Sequence, residues 1–584
     1  MKKQLKRLLS CLVLCAMLTG GLTAPAAAAG FTDVPAGHWA AQDIRRCVEL
    51  GFFQGESATR FGLGHQMTRS AFAVVLCRFF GWETSKPTRS AYMDVPVSAW
   101  YAGAVQAAYE HGAVTAQRAE FRPGDPITRE ELAVMLVRAL GYGTIAGLAQ
   151  DLPSAFQDVT TNAGYITMVC DLGLMDGISS TSFAPSRTAP REQVAVILMR
   201  LYDKLHRAEP GKVGILSPEE PLPDLTGWEA VAVSGAHLMA AGGVRVTNAS
   251  DAAGASALRD AARQSGAKAL LYVEGGPTAL NGTAAETAAC LVSAVEEGGY
   301  DGILLDIPAL KLAKETALVK LAQALKSALN GKLLYLVAEA PSWQGTRYNG
   351  YDYAALGKTA DKLILRIASY EKADGQYPAA PVEPLEELYY ALAELQGKVD
   401  SSRLSILLST DASVWVNGKN STSLTAEDLA GLAAKGNLEE HYSSRYACAY
   451  LTGLTEDKKP LIAWYLNPRS VEERVRFAKL FSVDQLVVDD LRQMAAQSAA
   501  APEAWPKCKK PPRPVGRGGH YFRIYRNFCI PSVAREGSAL TVTVNFTLFF
   551  SPKTSSQFRN VSVSASTSRP TVLQRLSINT WVIS

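Results

Sequence analysis

Cysteine is scarce in this chain of 584 residues, and the few cysteines present show no pairing pattern. Nine occur, two of them within the first 29 residues, and the other seven are odd in number and widely scattered. None has the short spacing of a zinc site, and such a set argues against a disulfide framework. Cys47, Cys77 and Cys170 lie in apolar helical patterns, which predicts small, buried hydrophobic residues. We therefore expect neither a bound metal nor a cofactor.

Long apolar runs are also lacking, with one exception at the start of the chain. The basic residues MKKQLKR precede the apolar stretch LLSCLVLCAMLTGGL, and the small residues APAAAAG follow it. This order is typical of a secretory signal peptide over residues 1–29, because the stretch is too short for a membrane span. Since no second long apolar stretch follows, we expect an exported protein whose mature form has no transmembrane anchor.

Negative charge is nearly missing from the end of the chain. From Lys507 onward there are 12 Lys and Arg but a single acid, Glu536, whereas the mature body before it has 43 basic and 54 acidic residues. The segment KCKKPPRPVGRGG is basic and rich in Pro and Gly, and SALTVTVNFTLFF favours a strand. Residues 501–584 therefore form a basic tail, irregular or β-prone. It is either an electrostatic contact for an anionic polymer or the product of a shifted reading frame, and neither interpretation predicts a nucleic-acid partner.

The chain does contain one motif that is written three times within its first 202 residues. The copies begin FTDVPAGHWA, YMDVPVSAWY and FQDVTTNAGY, with aspartates at 33, 94 and 158 that are 61 and 64 residues apart. Each copy continues through a turn to an arginine that starts an apolar helix, and these arginines lie at 69, 129 and 191. Similarity at a fixed period marks a repeat architecture whose units bury a core only together.

The second helix of each repeat has apolar residues at i, i+3, i+4 and i+7, which form one buried face. These residues are Phe72, Val75, Leu76 and Phe79, then Leu132, Met135, Leu136 and Ala139, and then Val194, Ile197, Leu198 and Leu201. We expect the three faces to meet in a shared all-α core, with Thr128 and Glu131 as a capping box. The arginines lie in the first turns, off this face, where exposed helix-start amides would make each one a seat for an anion.

In motif, spacing and position these segments resemble the S-layer homology repeat of bacterial surface proteins. The resemblance implies a non-covalent anchor that docks onto secondary cell-wall polysaccharide bearing an acidic pyruvate ketal, through grooves between the repeats. On matching positions it assigns the arginines to the acid, the tryptophans to stacking on sugar and the aspartates to shaping the loop: Arg69, Arg129, Arg191, Trp39, Trp100, Asp33, Asp94 and Asp158. The alternative is that the aspartates and tryptophans are only loop caps and core aromatics. The third repeat departs most, with Tyr165 at the tryptophan position.

The composition changes after the three repeats, which we place at 30–85, 90–145 and 152–205. Residues 206–225 are rich in Pro, Gly and charge and are interpreted as a linker. From 226 to 500, apolar runs such as KALLYVEGG, YDGILLDIP and RLSILLSTDA alternate with Ala-rich helical stretches. This alternation predicts buried parallel strands in a (β/α)₈ barrel. We expect EAVAVSG and GVRVTN as its first two strands and DQLVVDDL as its last.

Three barrel segments resemble glycoside hydrolase family 18, near its spore-cortex and germination branch: KALLYVEGG, YDGILLDIP and YNGYDYAALGKTADKLILRIASYE. In that family one carboxylic acid protonates the glycosidic oxygen while the acetamido group of the substrate attacks the anomeric carbon. Aligning Asp301 with the family's acidic motif keeps Asp306, but it puts Leu304 at an aspartate and Pro308 at the catalytic glutamate. Proline has no proton to donate, and losing a general acid costs roughly 10²–10⁴ in rate. The resemblance therefore implies a degenerate, inactive site.

Other acids fall at the carboxyl ends of predicted strands, where barrel enzymes keep their sites. Glu339 and Glu371 are candidate substitutes for the lost acid, and Glu274, Asp306, Tyr370 and Glu371 outline a candidate glycan cleft. Three functions follow. The protein is a surface protein anchored to the bacterial cell wall with an inactive, glycan-binding barrel, or an anchored glycosidase acting on peptidoglycan or a chitin-like N-acetylated glycan, or a structural component of the S-layer.

Overall fold

The computed structural model describes residues 31–115, 120–149, 155–240, 243–246, 249–342, 350–367, 379–425, 428–429, 431, 437–493, 532–536, 539–547 and 560–567. The predicted signal peptide, residues 1–29, and the candidate site residues Tyr370 and Glu371 lie outside these ranges. The described residues divide into two units, one before and one after Pro506.

Each repeat contains a first helix, a loop and a second helix, and we call residues 31–205 the repeat module. Its helices are α1 Ala41–Glu49, α2 Arg69–Phe80, α3 Ala102–Glu110, α4 Arg129–Ala139, α5 Gly143–Leu148, α6 Ala163–Asp171 and α7 Arg191–Leu205. Thr68 and Thr128 cap α2 and α4 through their side chains, and Glu131 completes the predicted capping box. The apolar faces of α2, α4 and α7 are buried in a shared core, which confirms the predicted all-α module.

A ring of main-chain hydrogen bonds joins the three repeats just before their second helices. Met67 N donates to Ala189 O over 3.0 Å, Ala189 N to Ile127 O over 3.0 Å, and Ile127 N to Met67 O over 2.8 Å. Each repeat thus donates to one neighbour and accepts from the other, and all three residues are buried. The ring thus takes one residue from each of the three repeats and ties every repeat to both of the others.

The chain after the repeat module alternates strands and helices. In order these are β1 Gly211–Leu216, β2 Ala230–Leu238, β3 Val244–Val246, α8 Ala249–Gln264, β4 Lys268–Gly275, α9 Ala284–Glu297, β5 Gly302–Asp306, α10 Glu315–Ala328, β6 Leu333–Glu339, α11 Tyr353–Thr359, β7 Lys362–Arg366, α12 Leu385–Leu395, β8 Leu404–Leu408, β9 Ala412–Val416, β10 Lys419–Leu424, β11 Asn437–Ser443, β12 Cys448–Leu454, β13 Pro460–Tyr465, α13 Pro468–Phe481, β14 Gln485–Val488, β15 Ser532–Glu536, β16 Ala539–Thr547 and β17 Asn560–Thr567. Short 3₁₀ helices cover Pro277–Asn281, Leu312–Lys314 and Ser401–Arg403.

Eight parallel strands among the described residues close into a barrel, which confirms the predicted (β/α)₈ fold. Their order is β1, β2, β4, β5, β6, β7, β8 and β14, and β14 pairs back onto β1. Apolar side chains such as Val213, Leu270, Leu304, Ile364 and Val487 fill the interior, so the barrel is a packed core rather than a pore. The last strand is the one predicted from DQLVVDDL.

Two expectations about the start of the barrel are wrong. The first strand is β1, which lies inside the predicted linker, and EAVAVSG forms the second strand. GVRVTN supplies only β3, which pairs antiparallel with β2 outside the closed barrel. The physical reason is that β1 lies between Pro210 and Pro218 and contains Gly214, whose missing side chain leaves room for Leu491. Its composition is therefore that of a linker, while its strand partners come from distant parts of the chain.

A five-stranded antiparallel sheet between β8 and α13 is absent from the sequence predictions. Its order is β10, β9, β13, β12 and β11, and Val414, Leu451 and Ala463 belong to its own small core. In the second unit β15, β16 and β17 form an antiparallel sheet, in agreement with the predicted β-prone tail. Among the described helices, none is long and apolar enough to cross a membrane. Cys47 and Cys77 are buried as predicted, and Cys170 is half-buried.

Candidate functional site

Each repeat aspartate closes the loop that leads to its second helix. Asp33 accepts hydrogen bonds from the main-chain N–H groups of Phe61 (2.8 Å), Gly62 (2.8 Å) and Leu63 (3.1 Å). The other two aspartates accept in the same way, and the sets are Asp94 with Phe121 and Arg122, and Asp158 with Phe183 and Ala184. The aspartates are thus loop caps in this structure.

The loop donors lower the pKa of two of these carboxyl groups. Burial raises the pKa of Asp33, but the N–H donors of its loop outweigh burial and leave the pKa below its usual value. The Ser182 hydroxyl, 2.7 Å from Asp158, and the N–H groups of Phe183 and Ala184 lower the pKa of Asp158 to about 2. Both carboxylates are therefore charged at neutral pH.

The repeat arginines reach across to the loop of the next repeat. Arg69 Nε donates to Phe121 O over 2.7 Å, and its guanidinium lies 4.9 Å from the centre of the Phe121 ring. The matching pairs are Arg129 with Phe183, at 2.9 and 4.4 Å, and Arg191 with Phe61, at 3.0 and 4.9 Å. The three arginines thus tie the first repeat to the second, the second to the third and the third to the first.

Much of the donor capacity of these arginines is used within the protein. Arg129 is buried, and its Nη2 also donates to Asp176 O over 2.5 Å, while Arg191 Nη2 donates to Gln54 O over 2.7 Å. Burial lowers the pKa of all three repeat arginines. The carbonyl oxygens that they contact replace hydrogen bonds that the charged groups would otherwise make with water. Their role as anion seats stays a prediction, and their contacts give them an inter-repeat role that the sequence did not indicate.

Exposed tryptophans distinguish the first two repeats from the third. Trp39 is 62% exposed and Trp100 is 71% exposed, so neither is a core aromatic. Tyr165, at the matching position of the third repeat, is only 5% exposed, and its hydroxyl donates to Gly143 O over 3.1 Å. Two repeats therefore expose an indole ring to solvent, and the third exposes no aromatic ring at this position.

A groove of about 550 Å³ lies between the repeats beside Arg69. Arg69 Nη1 lies 2.8 Å from Glu131, and Arg122 pairs with the same carboxylate. Burial raises the pKa of Glu131, but Arg69, the Thr128 N–H and Arg122 outweigh burial and lower it. Further polar side chains line the groove: Arg138, Glu130, Thr161 and Asn162. This lining suits a hydrophilic ligand better than an apolar one.

The second candidate site lies in the mouth of the barrel. Register sets Glu274 beside Asp306 and Glu339 beside Arg366 on neighbouring strands. The Tyr272 hydroxyl lies 2.9 Å from Asp306 and 3.1 Å from Glu274. These five residues lie at or near the carboxyl ends of β4, β5, β6 and β7, where barrel enzymes place their catalytic groups. The structure thus brings together two acids predicted for the cleft, Glu274 and Asp306, and one predicted substitute acid, Glu339.

Arg366 neutralises the acids of this cluster. Its guanidinium contacts both carboxylate oxygens of Asp306, with Nη1 at 3.1 Å from Oδ1, and Nη1 lies 3.6 Å from Glu339 Oε1. Burial lowers the pKa of Arg366, but the charges of Asp306 and Glu339 outweigh burial and raise it above its usual value. The guanidinium is therefore always protonated, and it is the counter-charge of the nearly inaccessible Asp306.

The remaining residues of the acidic motif lie elsewhere. Leu304 is buried inside the barrel, and Pro308 follows β5 by two residues. Asp301 lies at the opposite end of β5, where it accepts a hydrogen bond from Ala269 N over 2.9 Å and pairs with Arg263. Of the predicted motif, only Asp306 therefore contributes a carboxylate to the mouth.

Sequence analysis missed two members of the cluster, Tyr272 and Arg366. The sequence did contain one indication of Arg366, because this charged residue ends the apolar strand segment LILR. A charge at the end of such a strand requires a partner. The identity of that partner was hidden, since Asp306 lies 60 residues away along the chain. In the ranges that the structure covers, no group of three or more His, Cys, Asp and Glu side chains could hold a metal ion.

Comparison with known proteins gives a family for the repeats. The family model of the S-layer homology domain matches residues 30–73 and 92–133, which include Asp33, Arg69, Asp94 and Arg129. The chain carries S-layer homology repeats. The third copy lies outside the matched residues, but its Asp158 and Arg191 make the same loop and inter-repeat contacts as their counterparts. The third copy thus shares the loop and inter-repeat contacts of the two matched copies.

Curated relatives match only part of the chain. An endoglucanase of Bacillus sp. (strain KSM-635) is 31% identical over 242 residues, covering 37% of this chain and 24% of that protein. An S-layer protein of Bacillus thuringiensis subsp. finitimus is 28% identical over 204 residues, covering 34% of this chain and 24% of that protein. The chain thus spans about a quarter of the length of these relatives. The S-layer homology repeats and the S-layer relatives together indicate a cell-surface location.

Solved structures similar to this chain include two carbohydrate-active enzymes. A chitinase from Chromobacterium violaceum ATCC 12472 is 19% identical with a TM-score of 0.42, covering 51% of this chain and 100% of that chain. The Bacillus cereus spore cortex-lytic enzyme SleL is 12% identical with a TM-score of 0.42, covering 49% and 72%. The barrel of the present chain is established by its own strand order.

Proposed function

We propose that this exported surface protein binds secondary cell-wall polysaccharide through its S-layer homology repeats and displays a glycosidase-like barrel that is catalytically inactive. The observation that carries the proposal is the two-pronged contact between Arg366 and Asp306, together with Pro308 at the position where the family resemblance puts the proton donor. A bacterial surface protein of this design attaches to the wall and presents the barrel without cutting the glycan.

The binding half of the proposal is supported by the exposed side chains of the first two repeats. Trp39 and Trp100 offer flat apolar faces on which sugar rings can stack. The groove beside Arg69 adds hydroxyl, amide, carboxylate and guanidinium groups within reach of a polyhydroxylated ligand. We assign the acidic pyruvate ketal of the polymer to Arg122 and Arg138 together with Arg69, because these guanidinium groups line the same groove.

The inactive half of the proposal follows from what a general acid needs. A carboxyl group that protonates a glycosidic oxygen must hold its proton near neutral pH, which requires burial without a compensating cation. Asp306 is buried but bears a two-pronged contact with Arg366, and Glu339 shares that guanidinium. Glu274 is hydrogen-bonded to Tyr272. The three acids are thus linked to one another through the guanidinium of Arg366 and the hydroxyl of Tyr272.

Binding of the full-length protein to purified cell walls tests the anchoring half. Walls stripped of their secondary polysaccharide should retain far less protein than intact walls. Trp39→Ala and Trp100→Ala should each weaken binding about three- to tenfold, because each removes one stacking face. Met93→Ala is the matched control, since Met93 is 83% exposed beside the Asp94 loop but has no assigned contact with sugar. Equal retention on stripped walls would exclude the polysaccharide as ligand.

An active glycosidase is the second candidate function. The observation that favours it is the presence of Glu274 and Glu339 at the strand ends of the mouth, where a displaced acid could act. Turnover of wall glycan that is lost in Glu274→Gln or Glu339→Gln would establish this function in place of the inactive one.

A further inference from the structure

The third repeat packs against the barrel. At the end of α6 the Asp171 carboxylate accepts a hydrogen bond from the Tyr389 hydroxyl of α12 over 2.6 Å. The main-chain carbonyl of Asp171 also accepts one from the side chain of Gln396, just past α12. On α7, Lys204 Nζ donates to Leu480 O of α13 over 2.9 Å. Two helices of one repeat thus contact two helices of the barrel.

Aromatic packing closes the same interface. Tyr142, which precedes α5, meets Phe477 of α13 edge-on with ring centres 5.1 Å apart. Tyr389 and Phe481 pack against Phe477 at 6.3 and 5.2 Å. All four rings are buried. Large aromatic side chains that are buried from both sides are typical of a stable interface between domains rather than of two modules on a flexible tether.

The polar contacts fix the register of this aromatic patch. Burial raises the pKa of Asp171, although the Tyr389 hydroxyl acts in the opposite direction, and burial lowers the pKa of Lys204. Any shift of the barrel along the repeat module would leave a half-buried carboxylate or ammonium group without its hydrogen-bond partner. The interface therefore specifies one relative position.

The interface and the barrel mouth lie at opposite ends of the barrel. Gln396, Leu480 and Phe481 are at or just past the carboxyl ends of α12 and α13. In a (β/α)₈ barrel the helices run antiparallel to the strands, so helix carboxyl ends lie beside strand amino ends. The cluster around Asp306 and Arg366 lies instead at strand carboxyl ends.

We propose that the third repeat, together with Tyr142 at the end of the second, docks the barrel, so that the repeat module and the barrel form one rigid body with the barrel mouth directed away from the module. The burial of Tyr165 agrees with a docking role for the third repeat, because the exposed tryptophans belong to the first two repeats. Wall binding by those two repeats then leaves the mouth accessible, and this last step alone depends on the proposed function.

A cleavable joint tests the docking in the full-length chain. A protease site is placed in residues 206–210, between α7 and β1, and the cut protein is examined by size-exclusion chromatography. We expect the cut wild-type chain to elute as one particle and the cut Asp171→Arg variant as two, because the new charge and bulk displace Tyr389. Asp176→Arg is the matched control, since that side chain is 75% exposed on the same repeat, and it should elute as one particle.

Separation of the cut wild-type chain, or retention of one particle by cut Asp171→Arg, would overturn the proposal. If uncut Asp171→Arg fails to fold, Tyr389→Phe takes its place, because it removes only the hydroxyl that binds Asp171. The expected result is then a lower salt concentration for separation of the cut halves than in Tyr142→Phe, which keeps its ring contact with Phe477. Loss of wall binding in the intact protein concerns the proposed function and does not affect this test.

Discussion

Arg129 of the repeat module and Arg366 of the barrel mouth are both largely withdrawn from solvent, but their hydrogen-bond partners differ in charge. Arg129 donates to the main-chain carbonyls of Phe183 and Asp176, which are neutral groups. Arg366 instead pairs with the carboxylates of Asp306 and Glu339. The carbonyl contacts of Arg129 join two repeats, whereas the carboxylate contacts of Arg366 link the acids at the barrel mouth. The same side chain thus ties repeats together in one region and holds an acidic cluster in the other.

The largest loss of stability is expected where an arginine is paired with carboxylates. Arg366→Met leaves Asp306 buried without its counter-charge, and we expect a loss of about 3–5 kcal/mol in the free energy of unfolding at neutral pH. Urea denaturation of the full-length protein measures it. Arg263→Met is the control, because Arg263 pairs with Asp301 on a solvent-exposed flank and should cost less than about 1 kcal/mol. Equal losses in the two variants would contradict the contrast between the regions.

A smaller effect is expected where the partners are neutral. Arg129→Ala leaves Phe183 O and Asp176 O without their donor and removes the contact with the Phe183 ring, so we expect a loss of about 2 kcal/mol. Thermal unfolding followed by circular dichroism measures the change. Arg187→Ala, at an exposed position of the same loop, should have almost no effect. A loss that exceeds that of Arg366→Met would reverse the ranking of the two arginines.

The smallest effect is a dependence of the repeat module on pH. Because the folded pKa of Asp158 is lowered to about 2, its contribution to stability is fully present above the unfolded pKa near 4 and is lost as pH falls towards 2. Asp158→Asn should therefore melt below the wild type at pH 6, and the difference should vanish near pH 2. Asp457 is an exposed residue between β12 and β13, and for Asp457→Asn the melting difference from the wild type should not shrink as the pH falls towards 2. A constant difference across this range would exclude the charged cap.

The repeat module was predictable because its information is local. The spacing of Asp33, Asp94 and Asp158 and the apolar periodicity of α2, α4 and α7 lie within short stretches of sequence, and both appear in the structure. The loop hydrogen bonds of the aspartates have the same origin. What the motif could not show is that each arginine contacts the following repeat, since the ring of Arg69, Arg129 and Arg191 depends on how three copies close on one another.

The fold class of the barrel was predictable from the sequence, but the side-chain pairs in its mouth were not. Apolar runs predict buried strands, but the prolines on either side of β1 give that segment the composition of a linker. The five-stranded antiparallel sheet between β8 and α13 has no hydrophobic period that distinguishes its strands from those of the barrel. The mouth depends on register between strands. Asp306 was found through its motif, whereas the pairing with Arg366 arises only when β5, β6 and β7 align side by side.

Release of reducing ends from purified N-acetylated wall glycan tests the central claim most directly. The full-length protein is incubated with intact walls, and both retained protein and soluble reducing ends are measured over time. We expect firm retention with no reducing ends above a heat-denatured control, because Asp306 is paired with Arg366 and Pro308 supplies no proton. Clear turnover that disappears in Glu339→Gln or Glu274→Gln would contradict this result and show that a displaced acid performs hydrolysis.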